Sequence, residues 1–343
     1  MFVNRDLKRS PIAIWLVSIY LLLVLMVGVG GLTRLTDSGL SITEWELFTG
    51  ILPPITSSEW EFYFSEYKKI PEFIYQNSSI SLDEFKVIFY WEYFHRLLGR
   101  FIGLVSIIPL FYFFYKYRGQ NISLLKYSLI FFLVCVQGFL GWYMVQSGLL
   151  ERIDVSHYRL ASHLFLAFII ISLTFWFIME SFQIKGFATK LPSLLLITIL
   201  LLIFIQIILG AFLAGLDGGL IYNTWPDMNG NLFPDDYNKI NFLSYDLFNN
   251  PSIVQFIHRK IALLLVILIL YLNIIYLKKK LSLFPLIIFN FTILFQIFIG
   301  VITLVSGAKI FYASLHQLGS ILVVSSFLYI LFKNIQTNLQ LLD

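Results

Sequence analysis

Apolar residues gather in eight stretches, at roughly 12–32, 95–115, 122–146, 158–180, 191–214, 254–277, 282–305 and 312–332. A hydrocarbon core of about 30 Å takes about 20 helical residues to cross, and each stretch comes close to that length or exceeds it. The pattern therefore predicts an all-α membrane protein with eight transmembrane helices. The first stretch follows Pro11 and has no small-residue cleavage site behind it, so it is expected as a span and not as a cleaved leader.

Composition supports this reading. The chain of 343 residues is 58% apolar and only 13% charged, where a soluble domain is about one quarter charged. The expected partner of most of its surface is the lipid bilayer, and nothing points to nucleic acid. The single cysteine, Cys135, falls inside an apolar stretch and is expected as a small core residue, with no internal disulfide to form. The polar segments alternate in charge. One set holds Arg5, Lys8, Arg9, Lys116, Arg118, Lys126, Lys185, Lys190, Lys278, Lys279, Lys280 and Lys333 against only Asp6, Glu180 and Asp343. The positive-inside rule puts this set, and both termini, in the cytoplasm. The two long loops, about 33–94 and 215–253, are then expected on the outer face.

The two halves of the chain repeat one another. Asp37-Ser38-Gly39-Leu40 ends the first span as Asp217-Gly218-Gly219-Leu220 ends the fifth, and Trp45 and Gly50 match Trp225 and Gly230. His95-Arg96 and His258-Arg259 open spans two and six. Gln137, Gly141, Ser147 and Gly148 match Gln296, Gly300, Ser306 and Gly307, and His163 matches His316. Four spans return the chain to its starting side, so the repeat is parallel, about an axis along the membrane normal. The expectation is two tandem pseudo-symmetric four-helix bundles, residues 1–186 and 187–343.

Four of the five histidines occupy these matched positions, each near the outer start of an even-numbered span. In a ring of four helices the even spans are diagonal, so each half can aim two imidazoles at one another, an arrangement that suits haem iron. Zinc fits less well, because no cysteine or carboxylate cluster completes a tetrahedral set. His157 has no partner in the repeat and is expected as an interfacial loop residue. Arg96, Arg100, Arg259 and Lys260 cluster beside His95 and His258; they can pair with haem propionates or anchor helix ends among headgroups.

The halves differ at one telling place. Glu92 stands three residues before His95, where Gln255 stands before His258, and a residue at i−3 shares the histidine's helix face. A carboxylate can exchange a proton and an amide cannot, which makes the first half the candidate for chemistry; pairing of Glu92 with Arg96 at i+4 is the plainer alternative. The first long loop adds Arg34, Glu44, Trp45, Pro53-Pro54 and an aromatic, acidic stretch through Trp60, Phe62, Tyr63 and Tyr67. It is expected as an aromatic belt or as a cap over a pocket.

These passages resemble the haem A synthase (heme A synthase) family of the proteobacterial and mitochondrial type. The resemblance rests on Gly30-Gly31-Leu32-Thr33-Arg34-Leu35-Thr36, Ser38-Gly39-Leu40-Ser41-Ile42-Thr43-Glu44-Trp45, Trp91-Glu92-Tyr93-Phe94-His95-Arg96-Leu97-Leu98-Gly99-Arg100, Asn223-Thr224-Trp225-Pro226, Phe256-Ile257-His258-Arg259 and Leu315-His316-Gln317, and it extends over nearly the whole chain. It implies conversion of haem O to haem A by two successive oxidations of one ring methyl to a formyl group, supplying cytochrome c oxidase. It further implies that His258 and His316 ligate a resident haem b, that His95 and His163 face the substrate haem, and that Glu92 takes part in catalysis. Haem O synthase, oxidase assembly factors and an unidentified electron partner are implied beside it, in the inner (cell) membrane with the haem sites near the periplasmic face. Relatives with a cysteine pair in the first long loop differ from this chain, which has none there. A non-catalytic di-haem cytochrome b would use the same histidines, and Glu92 against Gln255 favours the enzyme.

Overall fold

The computed structural model describes residues 11–46, 50–118, 124–149, 152–236 and 245–340. Arg5, Asp6, Lys8, Arg9 and Asp343 of the charge pattern lie outside the described residues. Ten α-helices are present among those described: α1 Pro11–Leu35, α2 Ser57–Tyr67, α3 Pro71–Tyr75, α4 Leu82–Lys116, α5 Leu125–Gln146, α6 His157–Ser181, α7 Ser193–Gly215, α8 Pro251–Lys278, α9 Phe284–Val305 and α10 Ile310–Gln340. Eight of them, all except α2 and α3, are long and apolar enough to cross a membrane, so the chain is a multi-pass membrane protein. Those eight helices are the eight apolar stretches.

One helix is much longer than its apolar core. α4 begins at Leu82, a dozen residues before the expected span, because Ser81 and Glu84 form a reciprocal capping box. The added turns bury Phe85, Phe89 and Tyr93 against Trp60 and Tyr67 of α2. The first long loop thus has its own aromatic core. Trp60 and Tyr67 are buried, whereas Phe62 is 52% exposed, so the stretch expected as a belt is mostly interior packing.

The described residues fall into two compact units. One is Leu22–Ala167, which holds α2 to α5, the long part of α1 and the start of α6. The other joins the chain up to Leu21 with everything from Phe168 onward. In this second unit α7 packs on α8 and α10, and α9 packs on α8 and α10. That closes a ring in which α8 and α10 face each other. Polar pairs tie its helices within an apolar medium, where a hydrogen bond has little competition from water: Tyr20 to Ser325 at 2.7 Å, Thr292 to Ser326 at 2.9 Å and Asn290 to Asn273 at 3.0 Å. The connector before α7 is strapped to the end of α10, since Thr337 accepts from the Phe187 N–H and Asn334 from the Leu191 N–H.

Cys135 is exposed on α5 and does not sit in a core. α5 buries little of itself within the chain, so its surface is apolar for lipid, and a thiol suits that medium as well as an interior. His157 is the first residue of α6 and is buried, not part of a loop.

Candidate histidine and long-loop site

In the second unit the imidazoles of His258 on α8 and His316 on α10 face each other across the ring, with centroids 6.5 Å apart and planes at 76°. Two metal–imidazole bonds of about 2.0 Å, plus the distance from each nitrogen to its ring centre, span roughly 6 Å. A six-coordinate iron with two axial nitrogens therefore fits between these rings. Among the described residues no group of three or more His, Cys, Asp or Glu side chains gathers as a protein-only metal site.

Local sequence sets each ring. His163 and His316 both lie six residues into their helices, which start at His157 and Ile310. His258 follows a helix start made by Pro251 and the Asn250 side chain, which accepts from the Ser252 and Ile253 N–H groups. Every one of the four rings rests on a glycine of the neighbouring helix. A Cβ on Gly30 would lie 2.8 Å from His95 Cε1, on Gly141 3.1 Å from His163 Cε1, on Gly210 3.7 Å from His258 Cε1 and on Gly300 2.8 Å from His316 Cε1. The Nδ1 atom of each ring is buried without a hydrogen-bond partner. Glutamines fix the backbone behind three of them: Nε2 of Gln137 donates to the His163 carbonyl, Gln296 to that of His316 and Gln206 to that of His258. At the repeat offset of Asp37 and Asp217, Gln206 corresponds to Met26, which packs toward Gly99. His95 thus lacks the tie that His258 has. The sequence contained this contrast, in two residues that only the repeat alignment brings together.

The cations beside the histidines hold the long loops. Arg96 donates to the carbonyls of Ile42 and Glu44, each at 2.9 Å, and to Glu92 Oε1 through Nε at 3.1 Å and Nη2 at 2.7 Å. The Trp45 ring lies 5.3 Å from its guanidinium. Arg259 donates to the carbonyls of Tyr222, Thr224 and Asp227 and to Gln255 Oε1. Arg100 donates to the Glu46 carbonyl. Together with Gly50, Pro54, Tyr63, Phe89 and Tyr93, Arg96 and Arg100 line a small recess under the first long loop. Glu92 and Gln255 are both buried, at 3% and 2% exposure. Ser41 Oγ and the Ile42 N–H donate to Glu92 Oε2 at 2.8 and 2.7 Å. Gln255 Nε2 instead donates to the carbonyls of Gly218 and Tyr222.

A second buried acid lies in the same loop. Glu72 accepts from the Tyr67 hydroxyl at 2.9 Å and from Asn77 at 3.4 Å. Burial pushes its carboxyl up to about 8 from the ordinary 4.5, against the lowering effect of the Tyr67 bond and with help from Glu92, Asp154 and Asp37. An acid whose value is raised by folding favours the fold in its protonated form. The stabilisation is full below about 4.5 and is lost as pH rises through about 8. Backbone amides of α2 and α3, corrected for intrinsic exchange, are therefore expected to lose protection between about pH 5 and pH 8. Glu72→Gln should flatten that dependence. A wild-type loop whose protection is constant over the range would refute the assignment.

The profile of the cytochrome oxidase assembly protein family matches residues 13–328. A haem A synthase of Pelagibacter ubique is 59% identical over 334 residues, covering 97% of this chain and 99% of that protein. A haem A synthase of Rickettsia bellii is 44% identical, covering 93% and 98%. One from Wolbachia pipientis wMel is 42% identical, covering 95% and 93%.

Proposed function

Because the chain belongs to the cytochrome oxidase assembly protein family, we propose that it is a haem A synthase, an oxidoreductase that converts haem O to haem A. The single observation that carries the reading is the family match over nearly the full chain, joined to the four seated imidazoles. His258 and His316 would hold a resident haem b, which supplies electron transfer when bound. Their rings are set for a permanent ligand: both have a glycine beneath and a glutamine fixing the backbone carbonyl. His95 and His163 would face the substrate haem, whose ring methyl would undergo two two-electron oxidations, the electrons passing to an acceptor outside the chain, and would emerge as a formyl group after loss of water. Met26 in place of a glutamine leaves the His95 side of that site less tightly tied, as suits a ligand that arrives and leaves. Arg96, Arg100 and Arg259 fasten the long loops beside the histidines, and the positive-inside pattern favours the periplasmic face of the inner membrane for these loops, with both termini cytoplasmic. Haem O synthase would supply the substrate, and cytochrome c oxidase assembly would consume the product.

The test is expression beside a haem O synthase in a host without its own haem A, followed by extraction and chromatography of non-covalent haems. Haem A or its hydroxylated precursor is expected. Recovery of haem O and haem b alone would replace the enzyme by a di-haem cytochrome.

A further inference from the structure

The Glu92–Gln255 difference has its counterpart in the loops that these side chains bind. At the repeat offset, Ile42 corresponds to Tyr222 and Glu44 to Thr224, and the two arginines bind matched pairs of loop carbonyls: Arg96 those of Ile42 and Glu44, Arg259 those of Tyr222 and Thr224, with Asp227 in addition. The side chain four residues earlier completes each fastener but with opposite polarity. The first loop presents donors, Ser41 Oγ and the Ile42 N–H, and meets a carboxylate. The second presents the Gly218 and Tyr222 carbonyls and meets an amide N–H. A carboxylate offers about four lone-pair sites, and four donor bonds, two from Arg96 and one each from Ser41 and Ile42, fill those of Glu92. Ser41 Oγ also lies within reach of the Ser38 and Ile88 carbonyls, but its shortest contact is to Glu92, so both carboxylate oxygens are engaged by the loop and Arg96.

We propose that Glu92 and Gln255 are positioning residues. Each joins its arginine to fasten a long loop over the helix that carries His95 or His258, and each is matched to the polarity of the loop backbone it binds. For the first half the inference rests on the reading of that half as the substrate site: the fastener governs retention of the substrate haem and does not exchange a proton with it.

The experiment uses the full-length protein with its haem b in lipid vesicles, and follows both hydrogen exchange at Ile42 and product formation against haem O concentration. In Ser41→Ala and Glu92→Gln, exchange at Ile42 is expected to rise about tenfold or more. The half-saturating haem O concentration should rise with it, while the plateau rate per haem b is kept in Ser41→Ala. Gln255→Glu, which sets a carboxylate against the Gly218 and Tyr222 carbonyls, should speed exchange at Leu220, whose N–H donates to the Asp217 carbonyl in the same turn. A collapsed plateau in Glu92→Gln with Ile42 exchange unchanged would assign Glu92 to proton transfer and overturn the proposal. So would faster exchange with unchanged half-saturation, or an unaltered second loop in Gln255→Glu. A wild-type protein that makes no haem A, with the exchange changes all present, would leave the fasteners standing and remove the enzyme reading.

Discussion

Alanine at both His258 and His316 will leave a membrane protein that no longer holds haem b. The two rings are 6.5 Å apart at their centroids, on helices that face each other across a closed ring, and among the described residues no third His, Cys, Asp or Glu gathers with them. Removing one axial nitrogen should lower haem b affinity at least about tenfold, equal to about 1.4 kcal/mol, and removing both should abolish the low-spin absorption spectrum. The helices themselves are held by apolar packing and by the Tyr20–Ser325, Thr292–Ser326 and Asn290–Asn273 pairs, none of which touches the histidines. Far-ultraviolet circular dichroism of the double variant should therefore match wild type. His95→Ala with His163→Ala is the complementary case: haem b should be retained and haem A should disappear. A double variant at His258 and His316 with a full low-spin haem b spectrum would refute the ligand assignment.

The eight helices and the positions of the four matched histidines were legible in the sequence. The eight spans follow from the length of each apolar stretch, because a helix in lipid must satisfy its backbone internally and span about 30 Å. The matched histidines were visible because the repeat preserves the order of its markers. The loops were less legible, for a physical reason. Trp60, Phe62, Tyr63 and Tyr67 read as a lipid-interface belt or as a cap over a pocket, whereas Trp60 and Tyr67 pack with Phe85 and Phe89 in a core, on the turns of α4 that the capping box at Ser81 and Glu84 begins. Glu92 and Gln255 stood out as a difference. The meaning of the difference lay in whether the facing loop shows N–H or C=O groups, and every residue except proline carries both. Arg96 read as a haem carboxylate ligand, a headgroup anchor or the i+4 partner of Glu92; the pairing with Glu92 is present, and its remaining bonds to the loop carbonyls were not legible.

Gly300→Ala will weaken haem b binding and Gly210→Ala will not, although both glycines seat a histidine of the same site. The Cβ of alanine at position 300 would lie 2.8 Å from His316 Cε1 and 3.2 Å from Nδ1, so the ring has to turn; at position 210 the nearest atom is His258 Cε1 at 3.7 Å, an ordinary contact. Alanine is favoured over glycine within a helix by about 1 kcal/mol, and both positions are mid-helix, in α9 and α7. Both variants should consequently fold at least as well as wild type without haem, which separates loss of cofactor from loss of fold. Haem b titration into the two purified variants is the measurement, with an affinity loss of about tenfold or more expected for Gly300→Ala alone. Equal affinities would mean that the His316 ring is free to shift, and that the glycine beneath it does not set the iron-facing geometry. An unequal result in this direction would show that the site depends on ring placement as well as on the presence of two histidines, since both variants keep His258 and His316.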